Sequence, residues 1–207
     1  MLLPWMSWND RRRWRSARTV ADLGELMALW LEGEVKSWPG YMPRCGPDEE
    51  TAHLIPSLAS LNRAGFLTIA SQPGEAVTGH DGCWWEQRAA VEGFVSDRTL
   101  YYRLLEAADA AGLRIAVDDG QTGVHDPAIT VTTVDGKPYT RFGGPLSYRD
   151  MRTIWSVIRE PAFLALADAV RVTIAAPEPG SAGERELWPV LDRVSSRDRH
   201  DRAANAL

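Results

Sequence analysis

Hydrophobic residues along this chain switch several times between helical spacing and strand spacing, and that alternation constrains the fold more than any single motif. "TVADLGELMALWLEGEV" puts Val20, Leu23, Met27, Trp30 and Leu31 on one helical face, and Thr19 with Asp22 has the form of a capping box at its start. Residues 36–48 hold three prolines and two glycines and read as an irregular connection. A second helix follows, opened by Asp48 and the acidic pair Glu49–Glu50, which suit the positive end of a helix dipole. Leu54, Ile55, Leu58 and Leu61 form its apolar face, Gly65 closes it, and Pro56 marks a kink or a restart.

Strand signals then take over. "FLTIAS", 66–71, is short and apolar on both faces, which predicts an interior strand. A longer strand is predicted over 84–95, with Trp85, Ala89, Val91 and Val95 on one face and Glu86, Arg88 and Glu92 on the other. Asp97 caps a third helix carrying Leu100, Tyr101, Leu104, Leu105 and Ala108, ended by Gly112, and "LRIAVDDG" returns as a strand. "AITVTTVDGKPYTRF" predicts a hairpin around Asp135-Gly136. Ser147 and Asp150 open a further helix, Pro161 sits in the first turn of another, and "VRVTIAAPEPG" is the last strand.

The predicted class is therefore α+β, with mixed α/β as the neighbouring possibility: helices packed on a sheet of about five or six strands. Its core has the β-β-α-β pattern of half a ferredoxin-like or ACT-like unit. Residues 1–15 are expected to be a flexible Arg- and Trp-rich lead-in, 16–193 one α+β domain, and 194–207 a disordered charged tail.

Composition narrows the function classes. The net charge of −5 argues against a dedicated nucleic-acid binder. Lys36 and Lys137 are the only lysines, a bias that fits a GC-rich genome better than a phosphate-binding surface. Two cysteines, Cys45 and Cys83, make no disulfide framework, and no stretch approaches the roughly 20 apolar residues of a membrane span. The opening segment lacks the charge-then-apolar order of a secretory signal, so a cytoplasmic location is expected.

Four places offer chemistry. Ser71 and Gln72 stand where a strand meets the Pro73-Gly74 turn, either as plain turn chemistry or as the lip of a ligand site. The loop 74–85 carries His80 and Cys83, and a thiol with a nearby imidazole can be a nucleophile. Cys45, His53, His80 and Cys83 match no metal-site spacing, so no metal is expected. In 117–127, Asp118 and His125 offer an acid–base pair on a loop whose residues turn chemistry also explains. "RRRWRSAR" puts five arginines around Trp14, able to contact phosphate or simply to lie solvated. Neither "GQTG" nor "PGSAG" has phosphate-loop spacing, and no cofactor is expected.

The blocks "LNRAGFLTIASQPGE", "WWEQRAAVEGFVSD" and "VTIAAPEPG…LWPVL", with the helix 20–31, resemble a family of uncharacterised proteins known only as a domain of unknown function. Its members come from bacteria with GC-rich genomes, and "LNRAGF…SQPG" with "QRAAVEGF" are the specific pair of blocks. The resemblance reaches to about residue 193 and implies one complete domain and no assigned reaction.

The leading expectation is a small-molecule or protein-binding protein with no membrane or nucleic-acid partner. Its site is expected at Ser71, Gln72, His80, Trp84, Trp85 and Gln87, the two glutamines as hydrogen-bonding readers and a Trp as aromatic wall. The rival is a hydrolase or transferase using Cys83 or Ser71 with His80, or His125 with Asp118. A third reading makes Trp5, Trp8 and Trp14 the contact surface of a structural partner protein.

Overall fold

The computed structural model of the protein describes residues 6–205, the side chains of 197–205 excepted. The chain opens with α1 (Trp8–Ser16) and α2 (Val20–Leu31). After the irregular connection a 3-10 turn, Glu49–Leu54, leads into α3 (Ile55–Ala64) and β1 (Phe66–Gln72). There follow β2 (Glu75–Thr78), β3 (Trp84–Gln87), β4 (Ala90–Val95), α4 (Arg98–Ala110) and β5 (Arg114–Asp119). Then come β6 (Val124–His125), β7 (Ile129–Val134), β8 (Lys137–Phe142), α5 (Tyr148–Ile154), α6 (Glu160–Ala167), β9 (Val170–Ala175) and α7 (Ser181–Asn205).

The helix starts follow their caps. Thr19 and Asp22 form the reciprocal capping box of α2, Asp97 accepts from Thr99 and Leu100 N–H at the start of α4, and Ser147 accepts from Asp150 N–H in α5. Pro56 falls in the first turn of α3, where a missing N–H costs nothing, so it restarts the helix after the 3-10 turn. Asp135 and Gly136 both have positive φ, as a two-residue β7–β8 turn requires.

The strands form two antiparallel sheets, ordered β1-β4-β9-β5-β6 and β2-β3-β7-β8. Because β4 and β5 each pair antiparallel with β9, they run parallel to one another with β9 between them. β4-α4-β5 is thus a split β-α-β unit flanked by β1, the β-β-α-β pattern anticipated from sequence. α2 and α3 pack on β1, and α7 packs on α3 and α4. The core runs through Trp14, Leu23, Met27, Leu61, Phe66, Leu104, Phe163 and Ile174, each at most 2% exposed. Burying such a side chain contributes about 1.5–3 kcal/mol apiece.

Four expectations change. The class is α+β, but the strands divide into sheets of five and four instead of one sheet of five or six. The single strand predicted over 84–95 is two: β3 lies in the smaller sheet and β4 in the larger, because pairing with β7 runs through the Arg88 N–H, on Val131 O at 2.8 Å, while Ala89 O already accepts from the Ala176 N–H at 2.8 Å beyond β9. From residue 8 the expected lead-in is helical, as α1. Ser7 caps α1, and Trp14 is fully buried, with its indole N–H on Ser37 O at 2.8 Å and its ring edge-on to Trp155. The expected tail continues α7, with Val194 and Ser195 buried; the remainder of the two terminal expectations, residues 1–5 and 206–207, lies outside the described residues.

Candidate functional site

The β2–β3 hairpin builds a cavity from its own pairing. Glu75 opposes Gln87 and Val77 opposes Trp85, so alternation places these four side chains on one face of the smaller sheet. The connecting loop closes with Gly79 N–H on Cys83 O at 2.9 Å and brings His80 and Asp81 to the rim. At Gly79 a Cβ would stand 2.7 Å from the Asp81 carboxylate and 2.8 Å from the Trp85 indole nitrogen, so only glycine permits this approach. The seven residues line an open depression of about 410 Å³, the size of a small-molecule site.

Its electrostatics are one-sided. Glu75 and Asp81 are in the lining and no Lys or Arg is. The Cys83 backbone N–H, 3.0 Å from Asp81 Oδ1, holds the Asp81 carboxyl below the usual range, with the Trp85 side chain assisting. Gln87 Oε1 is buried without a hydrogen-bond partner. Trp85 is fixed edge-on against Tyr139, ring centroids 5.0 Å apart.

Of the residues singled out from sequence, His80, Trp85 and Gln87 come together here, and Ser71, Gln72 and Trp84 do not. Gln72 belongs to β1 itself, is 6% exposed, and spends its polar atoms internally. Its Nε2 donates to Arg88 O and Val131 O, both at 2.9 Å, and its Oε1 accepts from Thr132 Oγ1 at 3.2 Å. Ser71 faces a separate cavity of about 240 Å³ lined by Trp30, Trp38, Tyr41 and Asp48. Trp84 projects from the opposite side of β3 and is 44% exposed. Glu75, Val77 and Asp81 were not among the expected site residues. The signal for them was the pairing of "EAVT" with "WWEQ" across a glycine-bounded loop, too short to stand out by periodicity.

Nucleophilic chemistry is opposed at Cys83. Desolvation, then the Asp81 and Asp135 carboxylates, push its thiol above the ordinary value, and the thiolate is the reactive form. His125 does meet Asp118, Nδ1 to Oδ1 at 2.5 Å. Asp118 is shared, however: it also accepts from Arg171 Nη2 at 2.7 Å and Leu146 N–H at 3.2 Å. Arg171 Nη1 reaches Glu92 Oε1 at 3.1 Å, and Glu92 accepts from Thr173 and from the Gly143 N–H. This network shares one guanidinium between two carboxylates across β4, β9 and β5. Among the described residues no hydroxyl or thiol is hydrogen-bonded to His125.

Among the described residues no three of His, Cys, Asp and Glu gather as a metal set, and His53 pairs with Glu184. Nor, among them, is any helix long and apolar enough to cross a membrane. Of the expected tryptophan surface, Trp14 is core, Trp8 is exposed, and Trp5 lies outside the described residues.

A family model for the domain of unknown function DUF6919 matches residues 9–197. The chain belongs to the DUF6919 family. The DUF6919 match takes in both sheets, every residue of the hairpin cavity, and α1 from its second residue onward. No curated protein matches the chain.

Proposed function

We propose that the protein binds a small, amine-bearing molecule in the cavity on β2 and β3. The observation that carries this reading is the lining itself: two carboxylates, a buried amide oxygen without a donor, and no Lys or Arg. A protonated amine supplies both the charge and the hydrogen-bond donors that such a site lacks, while Trp85 and Val77 give its apolar body a wall. The raised thiol of Cys83 favours binding over covalent chemistry. We place the protein in a bacterial cytoplasm, in keeping with its two free cysteines and its Arg-for-Lys bias. We also take the chain as one folding unit, since a single apolar cluster reaches from Met6 to Val194.

The test is a thermal-shift titration with tyramine and agmatine, with tyrosol as the uncharged counterpart of tyramine. The amines raise the melting temperature in a concentration-dependent way, since a ligand stabilises the state that binds it. Glu75→Gln weakens this response, and tyrosol gives none. A tyrosol response equal to that of tyramine, or no response to either amine, overturns the proposal.

A further inference from the structure

A second cavity, remote from the hairpin in sequence, has the opposite charge. Trp8, Arg11, Arg12 and Arg15 recur at helical spacing and therefore share one side of α1. The rotation of that helix is fixed from the other side by Trp14, locked in the core against Trp155 and Ser37. Arg18, in the link to α2, and Arg159, at the start of α6, complete the wall. Five arginines thus line about 630 Å³ of half-open space with no carboxylate in the lining. Among the described residues none of the five has an ion pair with a carboxylate. Glu160, in the adjoining depression, is held by Arg152 at 2.8 Å.

Like charges gathered in a concave site with no carboxylate, among the described residues, in its lining or in ion-pair range call for an anion, and planar guanidiniums match phosphate oxygens in pairs. Trp8 supplies a second element. Its ring is 73% exposed at the rim, with Arg12 over it at 5.0 Å, and a planar group can stack on an exposed indole face.

We propose that the cavity between α1 and the start of α6 binds a phosphorylated small molecule carrying a planar ring, a nucleoside diphosphate in chemical class, with its phosphates on Arg11, Arg15 and Arg159 and its ring on Trp8. Nucleic acid is the weaker occupant. The chain carries a net charge of −5, which repels a long polyanion, and the arginines line a bounded cavity instead of a stripe.

The experiment is calorimetric titration of the full chain with ADP, inorganic pyrophosphate and adenosine. ADP and pyrophosphate bind and adenosine does not. Arg11→Gln/Arg15→Gln, at exposed positions with a good helix former substituted, weakens both phosphates by about tenfold or more. Arg159→Gln, on a different element, does the same should the double variant fold poorly. Trp8→Ala weakens ADP and leaves pyrophosphate unchanged, and Arg149→Gln, outside the cavity, changes neither. Absence of binding by either phosphate, or unchanged binding in the arginine variants, overturns the proposal. So does a single-stranded oligonucleotide that displaces ADP with an affinity rising with its length, and a Trp8→Ala variant that still binds ADP fully removes the ring from the assignment.

Discussion

The side chain of Gln72 donates from Nε2 to the carbonyl oxygen of Val131 at 2.9 Å, and this bond ties the larger sheet to the smaller one. The same nitrogen donates to Arg88 O at the point where the chain passes between the sheets. A residue that reads in sequence as a turn or ligand contact is thus a buried clasp. Gln72→Leu removes the donor, strands the Arg88 carbonyl and the Thr132 hydroxyl, and leaves Val131 O with the Arg88 N–H alone, so it lowers stability by about 2 kcal/mol. In a chain of this length that is a fall in melting temperature of about 4–8 °C, measured by thermal unfolding. A shift under about 1 °C would mean that water replaces the clasp without loss.

Arg171 sits between Glu92 and Asp118, at 3.1 and 2.7 Å, and its side chain and that of Glu92 are each 8% exposed. Arg171→Met leaves two carboxylates without their shared cation, at a cost of about 3–5 kcal/mol. Adding Glu92→Gln restores part of that loss, because one of the stranded charges is removed. Urea denaturation of the single and double variants measures the recovery.

Gly24 lies on the face of α2 that meets α3, and a Cβ there would stand 2.4 Å from the backbone oxygen of Asn62. Helix propensity alone makes Gly24→Ala stabilising by about 1 kcal/mol. The contact decides the opposite sign, since backbone must move to admit the methyl group, and a net destabilisation of about 1–3 kcal/mol is expected from chemical denaturation.

Asp22 is held below the ordinary carboxylate value chiefly by the Arg18 backbone N–H, 2.8 Å from Oδ2, with the Thr19 N–H at 3.0 Å. A carboxyl depressed in the folded state contributes stability at pH values above its unfolded value of about 3.9, and that contribution fades as the pH falls through the folded value. Asp22→Ala therefore costs about 1 kcal/mol at pH 7 through loss of the capping box. The difference in melting temperature between the two proteins narrows below about pH 4, and a gap that stays constant to pH 2 contradicts the assignment.

The features legible in the sequence are those that neighbouring residues settle among themselves. The caps at Thr19, Asp97 and Ser147 bond N–H groups two or three residues on, and the Asp135-Gly136 turn needs only two permissive residues. The apolar run 66–71 signals a strand, but not its place: β1 lies at an edge of the larger sheet, not in its interior. α1 was hidden because its buried side rests on Trp14 amid polar neighbours, and β2 because four residues carry too little periodicity.

The sequence by itself determined the α+β class, the positions of most helices and strands, and the family. Only the tertiary structure decided that Gln72 faces inward to another strand's carbonyl while Gln87 faces a cavity, and that Arg159 comes up beside Arg11 and Arg15. The reason is physical. Helix caps and tight turns are bonds between residues already adjacent in the chain, so composition and spacing specify them. Which face of a strand meets water, and which distant charges share a cavity, depends on sheet order and helix rotation, which the packing of the whole core sets at once.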